Sequence, residues 1–135
     1  MSNPDAIFFD TGIVLSFFNT AEQNIANAAL EHIESYPLSA RHILTPNLVE
    51  LFYKLRKVIS PKDVRSGLDS YGIFLFSEGA SFEKVVFNDY CKINHTHGFD
   101  YADYFLCRTA LLFPCAQILT IDKNAFPQCL WNCIQ

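Results

Sequence analysis

Short, wholly apolar runs alternate along this chain with longer stretches in which apolar residues return every three or four positions, and the alternation predicts strands interleaved with helices. Ala6-Ile-Phe-Phe9 is apolar without a break and stops at Asp10, the pattern of a buried parallel strand with an acid at its carboxyl end. Thr11 and Gly12 turn the chain. A helical stretch follows with Ile13, Val14, Phe17 and Phe18 on one face. A second helix, Ala21 to Ser35, sets Ile25, Ala28, Ala29, His32 and Ile33 at helical spacing before Pro37 closes it.

His42-Ile-Leu44 reads as a second strand, and Thr45-Pro46 as a helix start with Thr45 as cap and Pro46 at the first helical position. That helix is expected to reach about Val58, with Leu48, Leu51, Phe52 and Leu55 on its buried side and Glu50 in its early turns. Ser60-Pro61 starts another helix, and Ile73 to Phe76 is a third strand. Ser81 is the expected cap of a helix running to about Ile93, where the polar segment Asn94-His-Thr-His-Gly98 stops it. Asp100 to Leu112 is the next helix, with Asp100 as a cap or supporting acid. Gln117 to Ile121 is a fourth strand closed by Asp122, and the tail from Ala125 to Gln135 predicts a short helix or an edge strand.

Strands separated by helices imply an α/β sandwich around a mainly parallel sheet. With 135 residues, half of them hydrophobic, and with no repeat or Gly/Ser linker, the chain is expected to form one domain over 1–135. Thirteen Phe and six Tyr supply much of its core. In such sheets ligands bind beyond the carboxyl ends of the strands, where Asp10 and Asp122 both fall.

A formal net charge of −4 excludes a uniformly basic nucleic-acid binder but leaves room for a local patch. Lys54, Arg56, Lys57, Lys62 and Arg65 form such a cluster beyond Glu50, with Arg108 and Lys123 as further cations near the acids. The same residues would also suit a plain solvated helix face. Five cysteines without a CxxC pair, and no hydrophobic leader, read as reduced thiols in the cytoplasm. His95 and His97 with Cys91 and Cys107 match no common zinc spacing, and Cys115, Cys129 and Cys133 are expected to pack as small apolar residues. No apolar run approaches the roughly 20 residues of a membrane helix.

Four carboxylates, Asp10, Glu50, Asp103 and Asp122, stand at strand ends or on facing helices, and convergent acids usually require a divalent cation. The segments Ile7-Phe-Phe-Asp-Thr-Gly12, Thr45-Pro-Asn-Leu-Val-Glu50, Asp103-Tyr-Phe-Leu-Cys-Arg-Thr-Ala110 and Ile118-Leu-Thr-Ile-Asp-Lys123 resemble, in order and approximate spacing, the PIN-domain ribonucleases that include VapC-type toxins. The resemblance covers nearly the whole chain. It implies a PIN-like three-layer sandwich and an endoribonuclease using Mg²⁺ or Mn²⁺. Its four acids would be Asp10, Glu50, Asp103 and Asp122, with Asp100 one turn before Asp103 as an alternate or supporting acid. Thr11 and Thr120 match the hydroxyl residues beside the first and last acids. It further implies RNA cleavage leaving a 5′-phosphate and a 3′-hydroxyl, an antitoxin partner over the acidic groove, and a homodimer.

Two other functions remain open on the sequence. Phe8-Phe-Asp-Thr-Gly-Ile-Val-Leu15 also looks like the first motif of HAD-type phosphatases, in which Asp10 would be a nucleophile, although Gly12 stands where that family has a second acid. An inactive PIN-like scaffold would keep the fold and serve as a binding module.

Overall fold

The computed structural model describes residues 6–18, 21–93 and 100–120, together with the backbone of 133–134. Five strands form one sheet: β1 (Ile7–Phe9), β2 (Arg41–Leu44), β3 (Phe74–Phe76), β4 (Gln117–Leu119) and β5 (Cys133–Ile134). Their spatial order is β3-β2-β1-β4-β5, and every neighbouring pair is parallel. The chain therefore builds outward from β1 in one direction through β2 and β3, then crosses back to lay β4 on the other side of β1.

Helices cover both faces. In chain order they are α1 (Thr11–Phe17), α2 (Gln23–Glu34), α3 (Thr45–Leu55), α4 (Pro61–Ser70), α5 (Ala80–Tyr90) and α6 (Tyr101–Ala110). Strand side chains alternate between the two resulting cores. Ile7, Phe9, Ile43 and Leu119 pack with Ile13, Val14, Ile33, Leu51, Leu55, Val64 and Leu68 of α1 to α4. Phe8, Leu44 and Ile118 face the other way, toward Val86 of α5 and Phe105, Leu106 and Ala110 of α6. The three layers follow from strands that are apolar on both faces and so need covering twice.

The elements lie where the sequence pattern puts them, with differences that have local causes. Helix α3 already includes Thr45, so Leu44 takes the cap position without any side-chain cap and Pro46 sits inside the first turn. Helix α5 begins at Ala80 after Gly79, whose φ of 107° suits only glycine, so Ser81 is helical rather than the cap. On α2 the buried residues are Ala26, Ala29 and Ile33, while Ile25, Ala28 and His32 are exposed. Small side chains let α2 lie close, and its buried stripe is rotated from the expected one. Of the short helix or edge strand expected over the tail, a strand is seen at Cys133–Ile134; residues 121–132 lie outside the described residues. Cys115, expected to pack as a small apolar residue, is exposed in the turn after α6, whereas Cys107 is buried.

One buried charge locks the upper layer. Arg41, at the start of β2 and only 7% exposed, donates Nε and Nη2 to the Tyr36 carbonyl at 3.0 and 2.7 Å, Nη1 to Tyr71 O at 2.7 Å and Nη2 to Glu34 O at 3.4 Å. These carbonyls end α2 and α4, where the helix dipoles favour a cation, so the guanidinium is satisfied without an acid. Gly72, at φ 64°, then turns the chain from α4 toward β3, and a Cβ there would collide with Leu38.

Arg41→Lys is expected to lower stability by about 3 kcal/mol, because an ammonium cannot reach the three carbonyls together and each hydrogen bond to a charged group is worth about 1.5–3 kcal/mol. The shift of the urea unfolding midpoint measures it.

Candidate active site

The site lies at the carboxyl ends of β1 and β4, the point in the sheet where strand order reverses and where ligands of such sheets bind. Asp10 leaves β1 there. Its backbone N–H donates to Leu119 O at 3.0 Å, continuing the β1–β4 ladder by one bond. Its side chain caps α1, accepting from the Thr11 N–H at 2.8 Å through Oδ1, while Oδ2 accepts from Thr120 Oγ1 at 2.8 Å. One carboxylate thus joins the end of β1, the start of α1 and the end of β4. Among the described residues each oxygen holds a single donor and retains lone-pair capacity for another partner.

Helix α3 carries Glu50 toward this point, and a buried polar contact fixes how it does so. Asn47 is 1% exposed and donates Nδ2 to Thr11 Oγ1 at 3.1 Å. That hydroxyl is in turn 3.5 Å from the Asn47 carbonyl, a long contact. Among the described residues, Asn47 Oδ1 has no hydrogen-bond partner. Glu50, one turn further along α3, is one-third exposed and lies 3.9 Å from Lys54.

The remaining acids arrive on α6. Asp100 caps that helix, its Oδ1 accepting from the Asp103 N–H at 2.8 Å, which agrees with its expected role as a cap. Asp103 stands in the first turn. Burial pushes its carboxyl up to about 8, helped by the negative charges of Asp100 and Asp10. Burial also raises Asp10, against the lowering effect of its bonds from Thr120 and Thr11, and the charges of Glu50 and Asp100 add to the rise.

Asp10, Glu50, Asp100 and Asp103 therefore act on one another electrostatically, although they come from three separate regions of the chain. Among the described residues, no three His, Cys, Asp or Glu side chains are placed so that they could hold a metal ion as they stand. Asp122 and Lys123, two and three positions past Thr120, lie outside the described residues, as do His95 and His97.

The fold of this chain is similar to that of FitAcB from Neisseria gonorrhoeae. The two superpose with a TM-score of 0.59 at 18% identity, over 96% of each chain. The architecture is accordingly the PIN-like three-layer α/β sandwich that the sequence motifs imply. No protein-family model matches the sequence, and no curated protein does so either.

The cations divide into two groups. Lys54, Arg56 and Lys57 follow Glu50 along α3 and the turn after it, and Lys62 and Arg65 stand on α4; all five are exposed, with Arg65 3.4 Å from Asp69. Arg108 differs. It is partly buried, and its Nη1 donates to Asp89 Oδ2 at 2.8 Å and to the Tyr104 hydroxyl at 2.6 Å, tying α6 to α5.

Sequence reasoning passed over Asn47. The signal was a polar residue at the head of the stripe Asn47, Leu51, Leu55, all three of them buried in α3.

The Asp103 carboxyl gives a pH test. In the folded protein it keeps its proton up to about pH 8, whereas its ordinary value is 3.8, so between those limits the folded state holds more protons than the unfolded one. Stability in the absence of divalent cations should fall as pH rises across that window. Asp103→Asn should flatten the slope, which urea melts at a series of pH values would reveal.

Proposed function

We propose that this protein is a metal-dependent endoribonuclease that hydrolyses RNA phosphodiester bonds, with Asp10, Glu50, Asp103 and Asp122 as its acids. The observation that carries the reading is that Asp10, at the carboxyl end of β1, feels the charges of Glu50 and Asp100, and Asp103 those of Asp10 and Asp100. Half-buried carboxylates such as Asp10 and Asp103, whose proton affinity is raised by burial and by neighbouring acids, are a poor arrangement for stability and a suitable one for a hard cation.

The donor set fits Mg²⁺ or Mn²⁺, since every candidate ligand offers carboxylate oxygen. Asp10, Glu50 and Asp103 would hold the ion, with Asp122 as the fourth acid and Asp100 in support. Bound there, such an ion lowers the pKa of a water molecule and offsets charge on phosphate oxygens.

The chain's own groups prepare that site. Thr120 and Thr11 fix the Asp10 carboxylate through both oxygens and favour its ionised form. Asn47 keys the start of α3 to Thr11 and so sets where Glu50 enters. Asp100 anchors the first turn of α6 and hence Asp103. Outside the acids, Lys54, Arg56, Lys57, Lys62 and Arg65 would attract the phosphate backbone that the carboxylates repel, while Arg108 and Lys123 lie nearer the acids in sequence.

The sequence motifs favour a toxin of a toxin–antitoxin pair, with a small antitoxin covering the groove and a homodimer as the assembled form. A short antitoxin reading frame beside the gene would support that role. Among the described residues no helix is long and apolar enough to cross a membrane.

Asp10→Asn is expected to reduce Mg²⁺- or Mn²⁺-dependent cleavage of unstructured RNA by at least about 100-fold. Mapping of the cut ends should find 5′-phosphate and 3′-hydroxyl in the wild type. Undiminished cleavage by the variant would remove Asp10 from the chemistry. Calorimetric Mn²⁺ binding abolished by Asp10→Ala would separate a working site from an inert scaffold.

A further inference from the structure

A groove of about 520 Å³ lies beside the carboxyl end of α3, lined by Phe52, Tyr53, Arg56, Ile59 and Pro61. Tyr53 is 63% exposed, unusual for an aromatic residue on a helix whose other face is packed. The Arg56 guanidinium carbon sits 3.9 Å from the Tyr53 ring centroid, and Arg56 Nη1 donates to the Tyr53 carbonyl at 2.6 Å. The two planar groups are thus held together at the surface.

We propose that Tyr53 and Arg56 form a base-stacking subsite for single-stranded RNA one turn along α3 from Glu50. This deepens, and rests on, the nuclease reading above. An exposed phenol ring and a guanidinium plane both accept a nucleobase face, and Phe52, Ile59 and Pro61 provide an apolar wall beside them. Charge favours a polyanion over an acidic or neutral chain segment elsewhere on the molecule: Lys54, Lys57, Lys62 and Arg65 border the groove in sequence and are all exposed, on a protein of net charge −4.

Position links the groove to the acids. Tyr53 and Lys54 follow Glu50 by three and four residues within α3, so Tyr53 lies about 4.5 Å along the axis from Glu50, and Lys57 stands in the turn beyond the helix. A strand crossing α3 would place one base on the stack while its backbone passes Glu50. Bases inside a duplex already stack on their neighbours and offer no free face, so the subsite selects unpaired RNA.

The test uses the full chain in EDTA, with a short oligouridine carrying one 2-aminopurine and the same strand annealed to its complement. Wild type should bind the single strand and quench 2-aminopurine fluorescence. Tyr53→Ala should weaken binding roughly 5- to 150-fold and abolish the quench, while Tyr53→Trp retains both. Duplex binding should be insensitive to Tyr53.

Unchanged affinity and quench in Tyr53→Ala would overturn the subsite. So would Tyr53-dependent binding of polyglutamate with no binding of the RNA, which would indicate an acidic protein partner. The two readings fail separately. Tyr53-dependent quenching without Mg²⁺- or Mn²⁺-dependent cleavage would sink the nuclease reading and leave the subsite standing, whereas cleavage with a Tyr53-independent quench would do the reverse.

Discussion

Everything at the site is arranged around one carboxylate that the fold buries at the seam between β1 and β4. An ionised side chain is costly to remove from water unless its oxygens are paired, and Asp10 meets that condition with one donor from α1 and one from the residue after β4. The strand register is what makes the second donor available. Phe9 lies opposite Leu119, so the next residue on each strand is Asp10 or Thr120. A slip of one position would turn Thr120 to the wrong face and leave the carboxylate short of a partner.

The acids on α6 show two local effects in opposition. The first turn of a helix is a favourable place for negative charge, and Asp103 occupies it. Burial and the neighbouring carboxylates nevertheless win, because its proton affinity rises rather than falls. The helix dipole alone therefore does not make the position comfortable. Stability and chemistry are set against each other there, as is common where a protein concentrates like charges.

Most of the architecture was legible because parallel strands covered on both faces leave an unmistakable trace. Ala6 to Phe9, His42 to Leu44 and Gln117 to Ile121 are short, mainly apolar and bounded by polar or turn residues, and the last of them is a strand over Gln117–Leu119. The local grouping of Asp100 and Asp103 was also readable, since a cap and its helix are neighbours in sequence. Asn47 and Arg41 were not. Asn47 acts on Thr11 across 36 positions, and Arg41 reaches Tyr71 across 30. Such contacts depend on how helices dock, which periodicity does not encode. The rotation of the α2 stripe has the same origin, because the choice between Ile25 and Ala26 is made by the space available above the sheet.

The bond between Thr120 and Asp10 spans 110 positions of chain. Contacts of that separation close late, since the intervening loop entropy must be overcome first. During synthesis Asp10 emerges well before its partner exists, and at the usual pace of a ribosome the gap is roughly 5–20 s. Throughout that interval the carboxylate lacks the donor that fixes its second oxygen. A nascent chain therefore cannot complete this centre until Thr120 itself has been made.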